Sequence, residues 1–345
     1  MARLLRIGVA GFGNVGRTFV KLVLERGDEL GLWSQARIVF VADSRGAAVS
    51  PDGLSRKDLE KMLGLPRGKV SSLQGIGLPG VSIDEILEEP GVDILVDITP
   101  STYRGDPPQL KWYLRVLGAG GAVVTADKAP IALRGPELLR KNGCRLFYKA
   151  TVMAGTPLID LLRVGLVARR ITRVRGALNG TSNYVLSMLE KGYSLSEAIK
   201  DAQEKGYAEP DPSTDLKGFD LAAKAAIVAC TIGLGYTFDD VVIADEISAE
   251  AEDLVRRASE KGKKIRYVLE VQRGQRPVVR LAELEPSDPI AATSGALNVA
   301  HVETEEAEPI TVYGPGAGPL ATASSLLSDL VLAIRALRGD AGCEE

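Results

Sequence analysis

Leu4-Leu-Arg-Ile-Gly-Val-Ala10 runs without a break into Gly11-Phe-Gly-Asn-Val-Gly16, and an apolar-periodic segment from Arg17 to Arg26 follows. This reads as a buried strand, a glycine turn and a helix. In that context each glycine has a physical task. Gly11 permits the tight turn, Gly13 lets a pyrophosphate approach the backbone, and Gly16 lets the helix pack closely on the sheet. The bland alternative is a glycine turn with no ligand. Outward from this unit, Arg37–Ala42 reads as a second strand ending at Asp43, and Ser82-Ile-Asp-Glu85 as a capping box that opens a short helix. Asp93–Thr99 and Gly121–Thr125 read as further strands, with a helix over 107–118 between them. Strands alternating with helices imply a parallel sheet covered on both faces, the doubly wound Rossmann-type fold.

The pattern changes after about residue 135. Helices are expected over 155–168, 181–191, 195–205 and 217–234, and strands over 171–178, 264–272, 277–284 and 295–302. This less regular order predicts a separate α+β domain. A final helix is expected over 320–337, after Gly314-Pro-Gly-Ala-Gly318. The expected division is residues 1–135 with 310–345 as the dinucleotide-binding domain, and 136–309 as the domain for substrate binding, catalysis and dimerisation.

Composition narrows the chemistry. The 345 residues carry a net charge of −3, which gives no sign of a nucleic-acid partner. No apolar run reaches the length of a membrane span. The N-terminus passes straight into strand-like sequence, so no signal peptide is expected and the location is read as cytoplasmic. Cys144, Cys230 and Cys343 form no metal pattern, which fits a reducing compartment. Cys343 lies in a Gly-rich acidic tail. A free thiol is the default there, and an intersubunit disulfide is the alternative. The single histidine, His301, rules out a multi-histidine metal site. It reads as a structural residue in a strand, so proton transfer falls to Lys, Asp, Glu or Tyr.

Asp43 stands where a carboxylate usually binds the ribose 2′-hydroxyl. Arg45, Arg56 and Lys57 follow, and a guanidinium there could hold a 2′-phosphate. They could equally be solvated surface charges, so the cofactor is NAD or NADP. The densest polar segment is Glu209-Pro-Asp-Pro-Ser-Thr-Asp215-Leu-Lys-Gly-Phe-Asp220-Leu-Ala-Ala-Lys224. Its prolines make a stiff loop, and a helix begins near Asp215. Asp220 and Lys224 are four apart and share a helix face. Such a pair is commonly a solvated bridge, but this helix continues into Ala225-Ala-Ile-Val-Ala-Cys-Thr-Ile232 and is expected to be buried.

With these residues the chain resembles homoserine dehydrogenases. The resemblance runs through Gly11-Phe-Gly-Asn-Val-Gly-Arg17, Val124-Thr-Ala-Asp-Lys128, Ala150-Thr-Val-Met-Ala-Gly-Thr-Pro157, Gly176-Ala-Leu-Asn-Gly-Thr-Ser-Asn-Tyr184, Gly206-Tyr-Ala-Glu-Pro-Asp-Pro212 and Gly314–Gly318. It implies a short form without a regulatory ACT domain. The implied reaction is the NAD(P)-dependent interconversion of L-homoserine and L-aspartate 4-semialdehyde, on the way to threonine, methionine and isoleucine, by a homodimer. It implies that Lys224 exchanges a proton with the substrate oxygen, with Lys128 a second lysine beside nicotinamide and substrate, and Asp220 part of the catalytic group. Glu209, Asp215, Asp220 and Thr181 would bind substrate. Phe12, Gly13, Asn14, Val15, Gly16, Thr99, Lys128, Gly206 and Gly318 would contact cofactor. Two rival readings are a dehydrogenase for another amino-acid-like substrate and an NAD(P)-binding sensor without turnover.

Two positions depart from the family pattern. Lys149 stands where a glutamate usually helps to enclose a sodium-like ion with the carbonyls of Val152, Ala154 and Thr156. No bound metal is therefore expected. The Lys149 ammonium would donate to those carbonyls, or else turn to solvent and leave water or a weaker ion site. Asp127 stands where asparagine is usual, which puts a charge beside Lys128.

Overall fold

The computed structural model describes residues 3–88, 91–103 and 105–339. The chain divides into two compact units. One comprises Met1–Pro130, Glu137–Thr151 and Gly318–Glu345, and the other Ile131–Pro136 and Val152–Ala317. The sequence put 137–151 in the second unit and 310–317 in the first; contacts place them the other way. The tail that holds Cys343 lies outside the described residues.

The first unit begins with β1 (Leu5–Ala10), α1 (Asn14–Arg26), β2 (Ala36–Asp43), β3 (Gly46–Val49) and α2 (Arg56–Gly64). It continues with β4 (Gly77–Pro79), α3 (Ile83–Glu88), β5 (Ile94–Asp97), α4 (Gln109–Gly118), β6 (Ala122–Thr125), α5 (Ala129–Asn142) and β7 (Leu146–Phe147). The seven strands are ordered β4-β3-β2-β1-β5-β6-β7. From β2 to β7 the pairing is parallel, as the alternation predicts. The other edge departs from it. The chain reverses directly after Asp43, and β3 and β4 add antiparallel. Gly46 makes that reversal possible, with a φ of 137° and no room for a Cβ beside the Leu78 carbonyl. β7 pairs with β6, which is why 137–151 belongs to this unit. Val9, Val41, Ile94, Val96 and Val124 are fully or almost fully buried, as strands covered on both faces require.

The second unit contains α6 (Leu158–Asp160), β8 (Ile171–Ala177), α7 (Gly180–Leu189), α8 (Leu195–Glu204), α9 (Ser213–Leu216), α10 (Phe219–Thr231), β9 (Val242–Ile243) and α11 (Glu250–Glu260). Then come β10 (Lys264–Gln272), β11 (Val278–Leu284), β12 (Leu297–Thr304) and β13 (Ile310–Pro315). Its sheet runs β13-β12-β8-β10-β11-β9, antiparallel except for the last pair. α7, α10 and α11 pack on β10. The helix expected over 155–168 is only α6 followed by a wider π turn over Leu161–Gly165. The helix expected over 217–234 is α10, and the helical start expected near Asp215 is the separate short helix α9. Gly218 separates them with a φ of 81°, and a Cβ there would lie 2.2 Å from the Tyr267 hydroxyl.

The last helix, α12 (Pro319–Arg338), packs against α1 and β6. By length and hydropathy alone it could cross a membrane, which corrects the reading that no such segment exists. Its Ala323, Leu326, Leu330, Ala333 and Ile334 lie instead in the core of the first unit. An amphipathic stripe explains this burial without a bilayer.

Candidate active site

In the first unit the loops after β1, β5 and β6 leave the same edge of the parallel sheet, where such folds bind their ligands. A Cβ on Gly11 would lie 2.5 Å from the Ile98 carbonyl, and one on Gly16 would lie 2.2 Å from the Gly11 carbonyl. Neither position admits a side chain. Gly13 differs: a Cβ there would meet nothing within 4 Å, so its backbone opens onto free space. α1 has no side-chain cap and no acidic residue in its first turn. Its amide groups and positive dipole end are thus available to an anion. Asn14 accepts from the Arg67 guanidinium, the Arg17 guanidinium stacks over Phe12 at 4.8 Å, and Val15 packs on the core. The loop therefore fits a pyrophosphate by space and by donor chemistry. Arg67 is a cation beside it that the linear pattern did not single out.

At the end of β2 the Asp43 carboxylate accepts from Arg45 N and Val70 N, each at 2.9 Å. It shapes the turn after β2. The Arg45 side chain is exposed and lies against Gly68. Lys57 is exposed. Arg56 is committed elsewhere, to Asp28 and to the face of Trp33 at 4.9 Å.

Thr99 follows β5 and donates to Asp97 through its amide at 2.9 Å and its hydroxyl at 2.6 Å. Lys128 caps α5, and its amide donates to Ser101 Oγ at 3.0 Å. Gly318 begins α12 with a φ of 112° and open space where a Cβ would be.

In the second unit α7 and α10 bring the acidic cluster and the lysine together. Lys224 is 6% exposed. Its Nζ donates to the Leu178 carbonyl at 2.5 Å and to Asp220 Oδ2 at 2.7 Å. Asn179 caps α7 through Oδ1, and its amide nitrogen donates to Asp215 at 2.6 Å and to Asp220 at 2.9 Å. One side chain thus ties both carboxylates to the start of α7. Burial, reinforced by the charge of Asp220, raises the Asp215 carboxyl above its ordinary value. Thr181 donates to the Tyr207 carbonyl at 2.7 Å, which links α7 to the loop after α8. Gly206 turns that loop with a φ of 75°. Glu209 is exposed on the loop, apart from the buried pair. Sequence spacing gives Asn179 no role of its own. The asparagine before a helix was its visible signal.

His301 bonds Thr311 Oγ1 at 2.8 Å within the sheet, and burial lowers its pKa. Lys149 is buried. Its amide donates to Asp329 Oδ2 at 2.9 Å, and its ammonium lies 3.6 Å from Asp329 Oδ1. Neither this acidic partner nor the ion pair follows from the linear sequence. Met153 and Ala154 have φ values of 61° and 39°, a strained left-handed turn for non-glycine residues. No group of three or more metal-binding side chains occurs among the described residues.

A profile for homoserine dehydrogenase matches residues 157–331. The homoserine dehydrogenase of Methanocaldococcus jannaschii is 35% identical over 331 residues, covering 94% of this chain and 96% of its own. The chain belongs to the homoserine dehydrogenase family. An NAD(+)-dependent homoserine dehydrogenase of Pseudomonas canavaninivorans is 34% identical over 344 residues, 94% of this chain and 95% of its own. Among solved structures, a hyperthermophilic archaeal homoserine dehydrogenase mutant in complex with NADPH aligns with a TM-score of 0.83 at 27% identity. That alignment covers 99% of this chain and 100% of the other. This homoserine dehydrogenase family member thus has the Rossmann-type unit and second α+β unit expected from its sequence.

Proposed function

We propose that this chain interconverts L-homoserine and L-aspartate 4-semialdehyde with NAD or NADP, a step in amino-acid biosynthesis, in the cytoplasm and as a homodimer. The observation that carries the reading is the Lys224 ammonium, buried on α10 and oriented by Leu178 and Asp220 in a chain whose only histidine is tied into a sheet. When bound, the reduced nicotinamide supplies the hydride taken up by the aldehyde carbon. An ammonium has three protons. Two of Lys224's are held by named acceptors, and the third is left for the substrate oxygen. Lys224 then acts as general acid toward the alcohol and general base in the opposite direction. Asp220 fixes Lys224. Asp215 and Asp220, joined by Asn179, supply the negative charge that suits the α-ammonium group of substrate, with Thr181 and Glu209 on the adjoining segments. Lys128, at the start of α5, is assigned to the same reaction by the family resemblance. Residues Gly11 to Gly16, with Phe12, Asn14 and Val15 among them, hold the cofactor with Thr99 and Gly318, and Gly206 is assigned to the cofactor by the family resemblance. The Rossmann-type unit is the dinucleotide domain, and the second unit serves substrate binding and dimerisation.

Growth of the reduced-nicotinamide absorbance on mixing enzyme, homoserine and each cofactor tests the assignment. If neither cofactor is reduced, a dinucleotide sensor becomes the better reading.

Asp43, Arg45 and Lys57 border the ribose. Arg45→Ala is expected to weaken NADP binding by about tenfold to a hundredfold, the worth of a charge-assisted contact of about 1.5–3 kcal/mol, and to spare NAD. Titration of both cofactors against wild type and variant checks this. Equal effects would leave Arg45 a surface base.

The residues present do not fit the family's monovalent cation. Hard cations take oxygen ligands, and at 149 an ammonium replaces the carboxylate. Turnover is expected to stay unchanged when sodium is replaced by a large organic cation at constant ionic strength. Strong, saturable activation by sodium would show that the backbone carbonyls of Val152, Ala154 and Thr156 suffice.

A further inference from the structure

Two buried carboxyl groups lie behind the loops that carry Thr99 and Lys128. Asp97, the last residue of β5, is fully buried, and Asp127, two residues past β6, is 1% exposed. Their surroundings differ. Asp97 receives three donors: Thr99 N at 2.9 Å, Thr99 Oγ1 at 2.6 Å and the Tyr113 hydroxyl at 2.6 Å. Gln109 supports the set by donating to Thr99 Oγ1 at 2.8 Å. Asp127 receives Ala129 N on Oδ1 at 2.9 Å and has the Ser101 hydroxyl beside it as a donor, while its buried Oδ2 has no hydrogen-bond partner among the described groups. Thr125 Oγ1 accepts Asp127 N at 2.8 Å and lies 2.7 Å from the Tyr113 hydroxyl, so one chain of contacts joins both residues.

Three donors make a site for a charged carboxylate. A carboxyl with one buried oxygen left bare makes a site for a protonated one. We propose that Asp97 and Asp127 share a single proton, held on Asp127, and that this neutral partner keeps the Thr99 and Lys128 loops in the shape that binds the dinucleotide. The inference rests on the proposed placement of the cofactor at those loops. Both residues are positioning residues.

The other groups nearby agree. Burial raises both carboxyls, and repulsion when both are charged carries Asp97 up to about 7, so below that pH the pair does not hold two charges. The Ser101 hydroxyl, then the Ala129 amide and Lys128, pull Asp127 the other way. α4 contributes Tyr113, whose pKa burial raises well above its ordinary value, so it stays a donor. β1 contributes the apolar Ala10, paired with Asp97. α12, which also packs on β5 and β6, contributes Asp329, already paired with Lys149.

The test is the dissociation constant for reduced dinucleotide from about pH 6 to about pH 9, in wild type and Asp127→Asn, where the amide is a permanently neutral isostere. In wild type the constant is expected to rise several-fold above about pH 7, and in Asp127→Asn to stay flat near the wild-type value at low pH. A flat wild-type profile, or the same rise in the variant, overturns the proposal. The cofactor-free protein supplies a second readout. A carboxyl raised by folding gives stability that is complete below its unfolded value of about 4 and gone once the pH has passed about 7. The wild-type Tm, taken relative to Asp127→Asn, should fall across that interval and then level. If that fall is seen without the change in affinity, the pair is real and the cofactor placement is wrong. If neither is seen, the pair itself is wrong. Should Asp127→Asn not fold, Tyr113→Phe removes a donor from charged Asp97 and should move the loss of affinity to higher pH. An unmoved profile in that variant overturns the proposal.

Discussion

Lys224→Ala is expected to turn over homoserine about 10²–10⁴-fold more slowly than wild type while still binding dinucleotide, because a methyl group cannot pass a proton to the substrate oxygen. Neither His301, held in the sheet by Thr311, nor Asp220, which accepts from Lys224, takes over that proton. The change also strips a donor from Leu178 O and from Asp220, so circular dichroism and cofactor titration must accompany the rate. Lys224→Arg separates the two effects. It keeps a cation beside Asp220, yet a guanidinium does not release its proton near neutral pH. The arginine variant should fold better than the alanine variant and remain slow. Near-normal kcat in either variant would remove Lys224 from the mechanism.

The sequence reveals local features of this site well and distant ones poorly. The strand, glycine turn and helix at residues 4–26 are contiguous, so the open face at Gly13 and the closed ones at Gly11 and Gly16 follow from a pattern on one segment. Asp220 and Lys224 are four apart on one helix, and their 2.7 Å contact was legible for the same reason. Asn179 contacts both carboxylates across 36 and 41 residues, and nothing in linear spacing ties it to α10. The Tyr113 hydroxyl reaches Asp97 only because α4 packs beside β5, and Arg67 reaches Asn14 across 53 residues. The antiparallel β3–β4 edge was missed because four- and three-residue strands are too short for an alternating pattern to show. Lys149 illustrates a different limit. Family resemblance showed that its charge is unusual, but its partner lies 180 residues away on α12.

Lys149→Met should lower the stability of the protein by about 3–5 kcal/mol, the usual result of removing one member of a buried ion pair. The lost charge is not easily replaced. The side chains of Lys149 and Asp329 are 10% and 2% exposed, so water can do little for the carboxylate once the ammonium is gone. Asp329 would keep the 2.9 Å bond from the backbone amide of residue 149, which the substitution does not touch. That bond carries no full positive charge, so most of the loss should remain. Denaturant unfolding of wild type, Lys149→Met, Asp329→Leu and the double variant measures it. The double variant should recover most of the loss, because two apolar side chains of similar volume cost little where a pair is removed whole. A loss near zero in Lys149→Met would mean that the 3.6 Å ammonium–carboxylate contact contributes nothing to stability. An additive double variant would mean that the two side chains act independently. The expected coupling gives Lys149 a structural role in place of an ion-binding one: it fastens α12 to the turn after β7 with a cation that belongs to the chain.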